Sequence, residues 1–192
     1  MRFYSIFKNF YQRAAKKMCL DCKDFLNDGS KILDLGCGSG IVGKEFQKYF
    51  GTKLIGIDIR DQRVEKIPFR VFNGFSLPFP ENSFDAVLMN YVLHHAKDPL
   101  SLLKEAKRVS KNKIIIYEDL AEGLLSKIIC KIHGASFDYL FQKNKGKNNN
   151  FKKNEEWKKT FENLNLKMLF EKRCSSVFNP LEKKLFILEK KC

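Results

Sequence analysis

Four closely spaced glycines form the first group of residues whose pattern suggests chemistry. Gly36, Gly38, Gly40 and Gly43 follow the apolar run KILDL, and the last three have the G-x-G-x-x-G spacing of dinucleotide-binding turns. Glycines at such positions let the backbone approach a ligand closely, because a side chain with a Cβ would hold the ligand away. The spacing leaves two hypotheses open: a loop that cradles a pyrophosphate, and a loop for a ligand that has none.

Two aspartates stand close to this loop in the predicted arrangement. Asp34 lies two residues before the first glycine, where a carboxylate is a poor neighbour for a pyrophosphate but a good one for an ammonium or sulfonium group. Asp58 ends the next apolar run, 18 residues after Gly40, where a carboxylate can accept hydrogen bonds from ribose hydroxyls. Asp34 therefore favours a ligand without a pyrophosphate, whereas Asp58 is compatible with both hypotheses because either type of cofactor can contain a ribose.

The order of predicted elements places these residues on an open α/β sheet. Short apolar runs predict strands at KILDL, KLIGIDI, FDAVLMN and KIIIYED, with a third short strand ending near Asn73. The glycine loop opens a helix, and Asp98 with Pro99 predicts the start of another. The last two runs, LKMLFEKRC and KKLFILEKK, predict an antiparallel pair. We predict an α/β, Rossmann-like doubly wound sheet of about seven strands, mostly parallel with an antiparallel C-terminal hairpin.

The length of the chain is that of one domain with a sizeable core. We predict a single domain over residues 1–192, with an N-terminal amphipathic helix within residues 1–27 and a lid-like insertion at about 120–156. The sequence contains no window of 18 uninterrupted apolar residues, so we predict no membrane-spanning helix. The N-terminus lacks the continuous apolar stretch of a secretion signal, so we predict a cytoplasmic protein.

Charge and cysteine content indicate neither a dedicated nucleic-acid surface nor a metal site. The formal net charge is +14, but the lysines are spread along the whole chain, which favours a solvated basic surface over a dedicated nucleic-acid face. The six cysteines are scattered, and we expect free thiols. Cys19 and Cys22 form a C-x-x-C without a second pair at ligand spacing, so we predict two buried helix-face cysteines and no metal site.

The segment LPFPENSFDAVLMNYVLHHAKDPLSLLKEAKRV decides between the open hypotheses. It resembles the class I S-adenosylmethionine-dependent methyltransferases, type 11 branch, which carry a D-x-G-x-G-x-G loop, an acidic end to the second strand, L-P-F-x-x-x-S-F-D and L-H-H-x-x-D-P. Residues 31–119 match that series in order and spacing, and the resemblance is weak beyond Asp119. It implies S-adenosylmethionine as the cofactor.

The resemblance also implies a role for each rim residue. Asp34 and the loop backbone would hold the amino-acid end of the cofactor, Asp58 would bind its ribose, and Asn90 would approach the methionine group. Asn73 stands where many relatives have an aspartate against the adenine amino group. The cofactor-binding residues predicted in this way are Asp34, Gly36, Cys37, Gly38, Gly40, Asp58, Ile59, Asn73, Gly74, Phe75 and Asn90.

The sequence assigns no catalytic base. The candidates at the same edge of the sheet are His94, His95, Glu118 and Asp119. For His94 and His95 a packing or loop-bracing role is the alternative, and for Asp119 a helix N-cap. Phe137, Tyr139 and Phe141 in the insertion could contact the acceptor or belong to the core.

We therefore predict a methyltransferase acting on an unidentified small or medium-sized metabolite, with a small-molecule substrate, no transmembrane segment and no prediction of oligomeric state. An RNA (tRNA or rRNA) methyltransferase that uses the lysine-rich region Lys143–Lys159 as a phosphate tether is the alternative. A third hypothesis is a non-catalytic partner subunit that keeps the cofactor fold. The intact glycine loop and Asp58 argue against it.

Overall fold

A single seven-stranded sheet runs through the protein in the computed structural model, which describes residues 7–123, 126, 150–174 and 182–191. The strands are β1 (Lys31–Leu35), β2 (Lys53–Asp58), β3 (Phe69–Val71), β4 (Phe84–Asn90), β5 (Ser110–Leu120), β6 (Leu166–Cys174) and β7 (Glu182–Lys190). Their order in the sheet is β3-β2-β1-β4-β5-β7-β6. Strands β1 to β5 are parallel to one another, and β7 runs antiparallel to both β5 and β6. The predicted fold class is therefore confirmed.

Helices cover both faces of this sheet. The helices are α1 (Lys8–Cys22), α2 (Ile41–Phe50), α3 (Pro99–Val109) and α4 (Asn154–Asn163), with a 3-10 turn at Leu93–His95. Buried residues of α1 and α2 pack in one hydrophobic cluster, and those of α3 and α4 pack in another on the opposite face. Helix α3 begins as predicted, because the carboxylate of Asp98 accepts a hydrogen bond of 3.0 Å from the N–H of Ser101. In the described ranges no helix is long and apolar enough to span a bilayer.

The N-terminal helix buries its two cysteines, as the spacing predicts. Cys19 and Cys22 are fully buried on the side of α1 that faces the sheet. The Cys22 thiol lies 3.6 Å from the hydroxyl of Tyr117, and burial raises the pKa of this thiol to about 12. Such a protonated, enclosed thiol behaves as a small apolar side chain.

The predicted insertion at 120–156 falls partly outside the described residues. Strand β5 continues to Leu120, and helix α4 begins at Asn154, inside the predicted boundary. The two described flanks meet, because the N–H of Ala121 donates to the carbonyl of Lys152 at 3.1 Å. The aromatic residues at 137, 139 and 141 lie outside the described residues, and the single-domain organisation stays a prediction.

Candidate functional site

The carboxyl ends of β1, β2 and β4 bring the predicted cofactor residues to one edge of the sheet. Leu35 pairs with Ile57 on one side and with Met89 on the other. Gly36, Asp58 and Asn90 follow these three residues along their strands. They therefore lie beside one another where open α/β sheets bind their ligands.

The glycine loop that follows β1 requires glycine for two reasons. Gly36, Gly38 and Gly40 all have positive φ angles, of 76°, 47° and 74°, which L side chains rarely adopt. A Cβ at Gly36 would also lie 2.5 Å from the Cγ2 atom of Val92. A Cβ at Gly38 would meet no atom within 4 Å. The loop is thus closed against the protein at Gly36 and open at Gly38.

The backbone N–H groups of this loop are largely used within the protein. Gly36 and Cys37 donate to the carbonyl of Ile57 at 2.8 and 3.2 Å, and Gly40 donates to that of Cys37 at 2.8 Å. The N–H of Gly38 donates to the carboxylate of Asp58 at 2.9 Å. A pyrophosphate-binding turn needs free N–H groups aimed at the phosphates. Here a carboxylate already takes the N–H of Gly38, and its negative charge would repel a phosphate.

Asp58 keeps acceptor capacity for a ligand. Its Oδ1 accepts the N–H of Ile59 at 2.7 Å and its Oδ2 accepts that of Gly38. A carboxylate has about four lone-pair sites, and the N–H of Arg60 is a third backbone donor to Asp58, so about one site remains for a ligand. Burial raises the pKa of Asp58, and the backbone N–H groups of Gly38 and Ile59 oppose this. The residue is half-buried and fixed in orientation, as a ribose-binding carboxylate would have to be.

Asp34 is almost completely buried, with 1% exposed, at the end of β1. Its Oδ2 lies against the first turn of α2, where a Cβ at Gly43 would come within 2.7 Å. Burial and the charge of Asp58 raise the pKa of Asp34 to about 7, while the N–H of Gly43 favours the charged form. Neither oxygen makes a full hydrogen bond within the described residues. A cationic group nearby would stabilise this carboxylate.

Asn90 has polar side-chain atoms at this edge of the sheet, whereas the side chain of Cys37 lies in the core. Both polar atoms of the Asn90 amide are buried and make no hydrogen bond within the described residues. Such groups cost free energy unless a ligand or water pairs with them. Cys37 instead turns its side chain into the core, since its Sγ would lie 2.7 Å from a Cβ at Gly56. Only the backbone of Cys37 faces the loop.

Exposed apolar groups adjoin Asp58 where an adenine ring is predicted. Ile59 and Phe75 are 43% and 48% exposed, and a Cβ at Gly74 would lie 3.3 Å from Ile59. The Oδ1 of Asn73 accepts the N–H groups of Phe75 and Ser76 at 2.9 and 3.0 Å. This turn uses the oxygen that the predicted adenine contact would need, and that contact stays a prediction.

Two of the catalytic candidates form a buried pair. The Nδ1 of His94 is hydrogen-bonded to Oε1 of Glu118, and both residues are fully buried. Glu118 also accepts the N–H groups of Leu93 and Asp119, and the His94 ring stacks on Phe151 with centroids 4.3 Å apart. Burial raises the pKa of Glu118 to about 8. This geometry braces the turn after β4, which is the alternative role considered above for His94.

Beside that pair lies a cluster that the sequence did not reveal. Lys183 of β7 is 3.7 Å from the carboxylate of Asp119 and lies over the ring of Tyr91, 4.6 Å from its centroid. Tyr91 has a φ of 53°, which is unusual for an aromatic residue, and strained residues of this kind cluster at functional sites. The pairing of Asp119 with Lys183 follows from the β5–β7 register and has no local sequence signal.

Residues 33–117 match the sequence profile of a family described as a methyltransferase domain. This part of the chain, from the end of β1 through most of β5, is therefore similar to a methyltransferase domain. An uncharacterised methyltransferase of Schizosaccharomyces pombe is 31% identical over 106 residues, which are 45% of this chain and 38% of that protein. The demethylmenaquinone methyltransferase of Tropheryma whipplei is 34% identical over 111 residues, 53% of this chain and 44% of its own length. The methyltransferase match thus spans under half of these curated relatives.

A solved structure shows the same fold over nearly the whole chain. The S-adenosylmethionine-dependent methyltransferase of Methanosarcina mazei has a TM-score of 0.66 at 21% identity, covering 88% of this chain and 95% of its own. That protein is named for S-adenosylmethionine, which is also the cofactor that the sequence resemblance implies. The residues present fit S-adenosylmethionine: the remaining acceptor capacity of Asp58, the Asn90 amide and the open side of Gly38 match a ribose and a methionine group.

Proposed function

We propose that this chain transfers the methyl group of S-adenosylmethionine to a small or medium-sized metabolite bound at the carboxyl edge of the sheet. The observation that carries the proposal is the contact between Asp58 and Gly38, 2.9 Å from carboxylate to N–H. It removes a phosphate-binding group from the loop, and the carboxylate still has acceptor capacity for a ribose hydroxyl. The acidic pair Asp34 and Asp58 also favours a cofactor that carries positive charge.

When bound, the cofactor supplies a methyl group on a positively charged sulfur. The chain's own contribution is to bind and orient it. Asp58 would hold the ribose, Ile59 and Phe75 would flank the adenine, and Asn90 would pair with polar atoms of the methionine group. Fixing donor and acceptor in line, away from water, supplies much of the acceleration of a displacement reaction.

The acceptor would lie on the side of Asn90 that faces β5. Tyr91, Asp119 and Lys183 stand there, and the ring of Tyr91 is held between the lysine and the core. The relative from Tropheryma whipplei is named for demethylmenaquinone, and a relative from Gibberella zeae is named a sterol 24-C-methyltransferase. These names support a metabolite as the class of acceptor.

The buried pair His94 and Glu118 would position the turn that carries Tyr91 and Val92. Neither has an exposed atom to offer an acceptor. A base is needed only if the acceptor arrives protonated, and Asp119 is then the candidate that adjoins Tyr91 and Lys183.

The test uses S-adenosylmethionine labelled in its methyl group. Purified protein is incubated separately with a small-molecule extract, a lipid extract and total RNA, and transferred label is counted in each. Label in either metabolite fraction, lost in Asp58→Ala, supports the proposal. Label in RNA would instead support the alternative of an RNA methyltransferase, and label in no fraction would contradict the proposed activity.

A further inference from the structure

The outward side of helix α1 carries apolar and basic side chains together. Phe10 and Leu20 are 55% and 54% exposed, and Arg13 and Lys17 between them are exposed as well. At 3.6 residues per turn these four positions fall within about 80° of one another around the helix, and the two apolar ends are about 15 Å apart. They form one stripe on the molecular surface, which we call the α1 stripe.

The packing of α1 does not require this stripe. The helix already buries Ala15, Met18, Cys19 and Cys22 on its opposite side, against α2 and the sheet. Phe10 and Leu20 each expose about half of their surface on the same helix face, and the packing of the core does not account for them.

The charge of α1 is strongly one-sided. The helix contains four basic residues and one acidic residue, Asp21. The side chain of Asp21 is only 7% exposed and lies 2.6 Å from the amine of Lys172. Acidic residues return only after the helix, at Asp24 and Asp28. The α1 stripe therefore presents cations to its partner without a competing carboxylate on the helix.

Aliphatic, aromatic and basic residues on one helix face match the surface of an anionic bilayer. The apolar side chains enter the boundary between headgroups and acyl chains, and lysine and arginine contact lipid phosphates. An RNA would use the cations and could stack on Phe10, but it offers nothing to Leu20. The composition thus favours lipid over nucleic acid.

The N-terminal end of α1 lies near the cofactor loop. Lys8, in the first turn of α1 and on the side of the helix opposite to the α1 stripe, forms an ion pair of 2.7 Å with Glu65. The N–H of Glu65 donates to the carbonyl of Ser39 in the glycine loop at 3.2 Å. The end of the stripe that carries Phe10 is therefore the end nearer to this loop.

We propose that the α1 stripe is a docking surface for a bilayer that contains anionic phospholipids. The binding is peripheral: Phe10 and Leu20 are the apolar anchors, and Arg13 and Lys17 pair with phosphates. It requires neither cofactor nor acceptor, so it stands apart from the proposed methyl transfer.

The experiment is flotation of the full chain with vesicles of phosphatidylcholine alone or mixed with phosphatidylglycerol. Two double variants change the stripe, Phe10→Ser with Leu20→Ser and Arg13→Glu with Lys17→Glu. The matched control is Lys104→Glu with Lys159→Glu, which makes the same change in net charge at exposed positions of α3 and α4 on the other face of the sheet. Melting curves and S-adenosylhomocysteine binding verify that each variant is folded.

We expect the wild type to bind the mixed vesicles, to release them at high salt and not to bind phosphatidylcholine. Each stripe variant should partition at least about tenfold less, because the charge variant loses its contacts with lipid phosphates and the serine variant loses the two apolar anchors. The control should keep most of the binding. No binding by the wild type, or an equal loss in stripe and control variants, would overturn the proposal. So would a stripe variant that binds vesicles normally but loses retention on RNA.

Discussion

Asp58 and Asn73 both lie at the end of a strand region and both accept backbone N–H groups, yet the consequences differ. Asp58 uses both of its carboxylate oxygens for these bonds and keeps acceptor capacity for a ligand. Asn73 accepts both of its bonds on a single oxygen. Asp58 can therefore accept a hydrogen bond from a ligand, whereas the side-chain oxygen of Asn73 is used in a turn. The two residues call for different experiments.

Replacement of Asp58 by alanine should weaken binding of S-adenosylhomocysteine by about 1.5 to 3 kcal/mol, because a charged acceptor of hydrogen bonds is deleted. The fold should survive, since Asp58 lies at the rim. Asp61→Ala is the control, because Asp61 is an exposed carboxylate three residues further on that pairs with Arg63 at 2.7 Å. Equal dissociation constants for wild type and Asp58→Ala would remove this residue from the site.

For Asn73 the expected effect is on stability. Asn73→Ala should lower the unfolding free energy of the unliganded protein by roughly 1 kcal/mol, since two backbone N–H groups lose their acceptor. Asn73→Asp should retain the turn. Thermal melts and calorimetric titrations are run on both variants. Unchanged melting temperature with a shifted dissociation constant would contradict the turn role and favour the adenine contact.

At the scale of elements, the loop between β1 and α2 packs against the protein at one glycine and leaves open space at another. Gly36 is closed by Val92, whereas the Cβ position of Gly38 is empty. The helix end at Gly51 offers a comparison, because Gly51 also has a positive φ, of 60°, and an empty Cβ position. A side chain would therefore strain the backbone at either glycine, but only Gly38 lies where we predict the ligand.

This comparison yields a matched pair of variants. Gly38→Ala and Gly51→Ala should each lose about 1 kcal/mol of stability from the left-handed backbone. Only Gly38→Ala should also weaken cofactor binding, because its methyl group enters the open space that the ligand needs. Melting temperature and the dissociation constant for S-adenosylhomocysteine are measured for both. Equal binding by the two variants would mean that the loop is structural only.

The predictability of these elements depends on whether their signal is local. KILDL, FDAVLMN and the Asp98–Pro99 helix start were predictable because short apolar runs and caps act within a few residues. The bond between His94 and Glu118 joins residues 24 positions apart, and the contact of Lys183 with Asp119 depends on strand register. Such pairings appear only once the chain is folded.

For the molecule as a whole, burial of acidic groups at the rim links stability to pH. Burial raises the pKa of Asp34 from 3.8 to about 7. Between these values the folded protein holds a proton that the unfolded chain has released, so the unfolding free energy falls as pH rises. This contribution should level off above about pH 7.

Asp34→Asn should therefore flatten the fall in unfolding free energy between pH 5 and pH 7, because the amide does not titrate. Denaturant unfolding of wild type and variant across this window gives the two slopes. Glu118 serves as an internal reference, since its own raised pKa of about 8 affects both proteins equally. Identical slopes would contradict the proposed burial cost at Asp34.

The central claim is that the glycine loop accepts S-adenosylmethionine and not a dinucleotide. Isothermal titration of the purified chain with S-adenosylhomocysteine, alongside an identical titration with NAD, tests it most directly. The Asp58–Gly38 contact and the unpaired Asn90 amide predict one-to-one binding of S-adenosylhomocysteine in the micromolar range or tighter, and no heat with NAD. Binding of NAD in the absence of S-adenosylhomocysteine binding would contradict it.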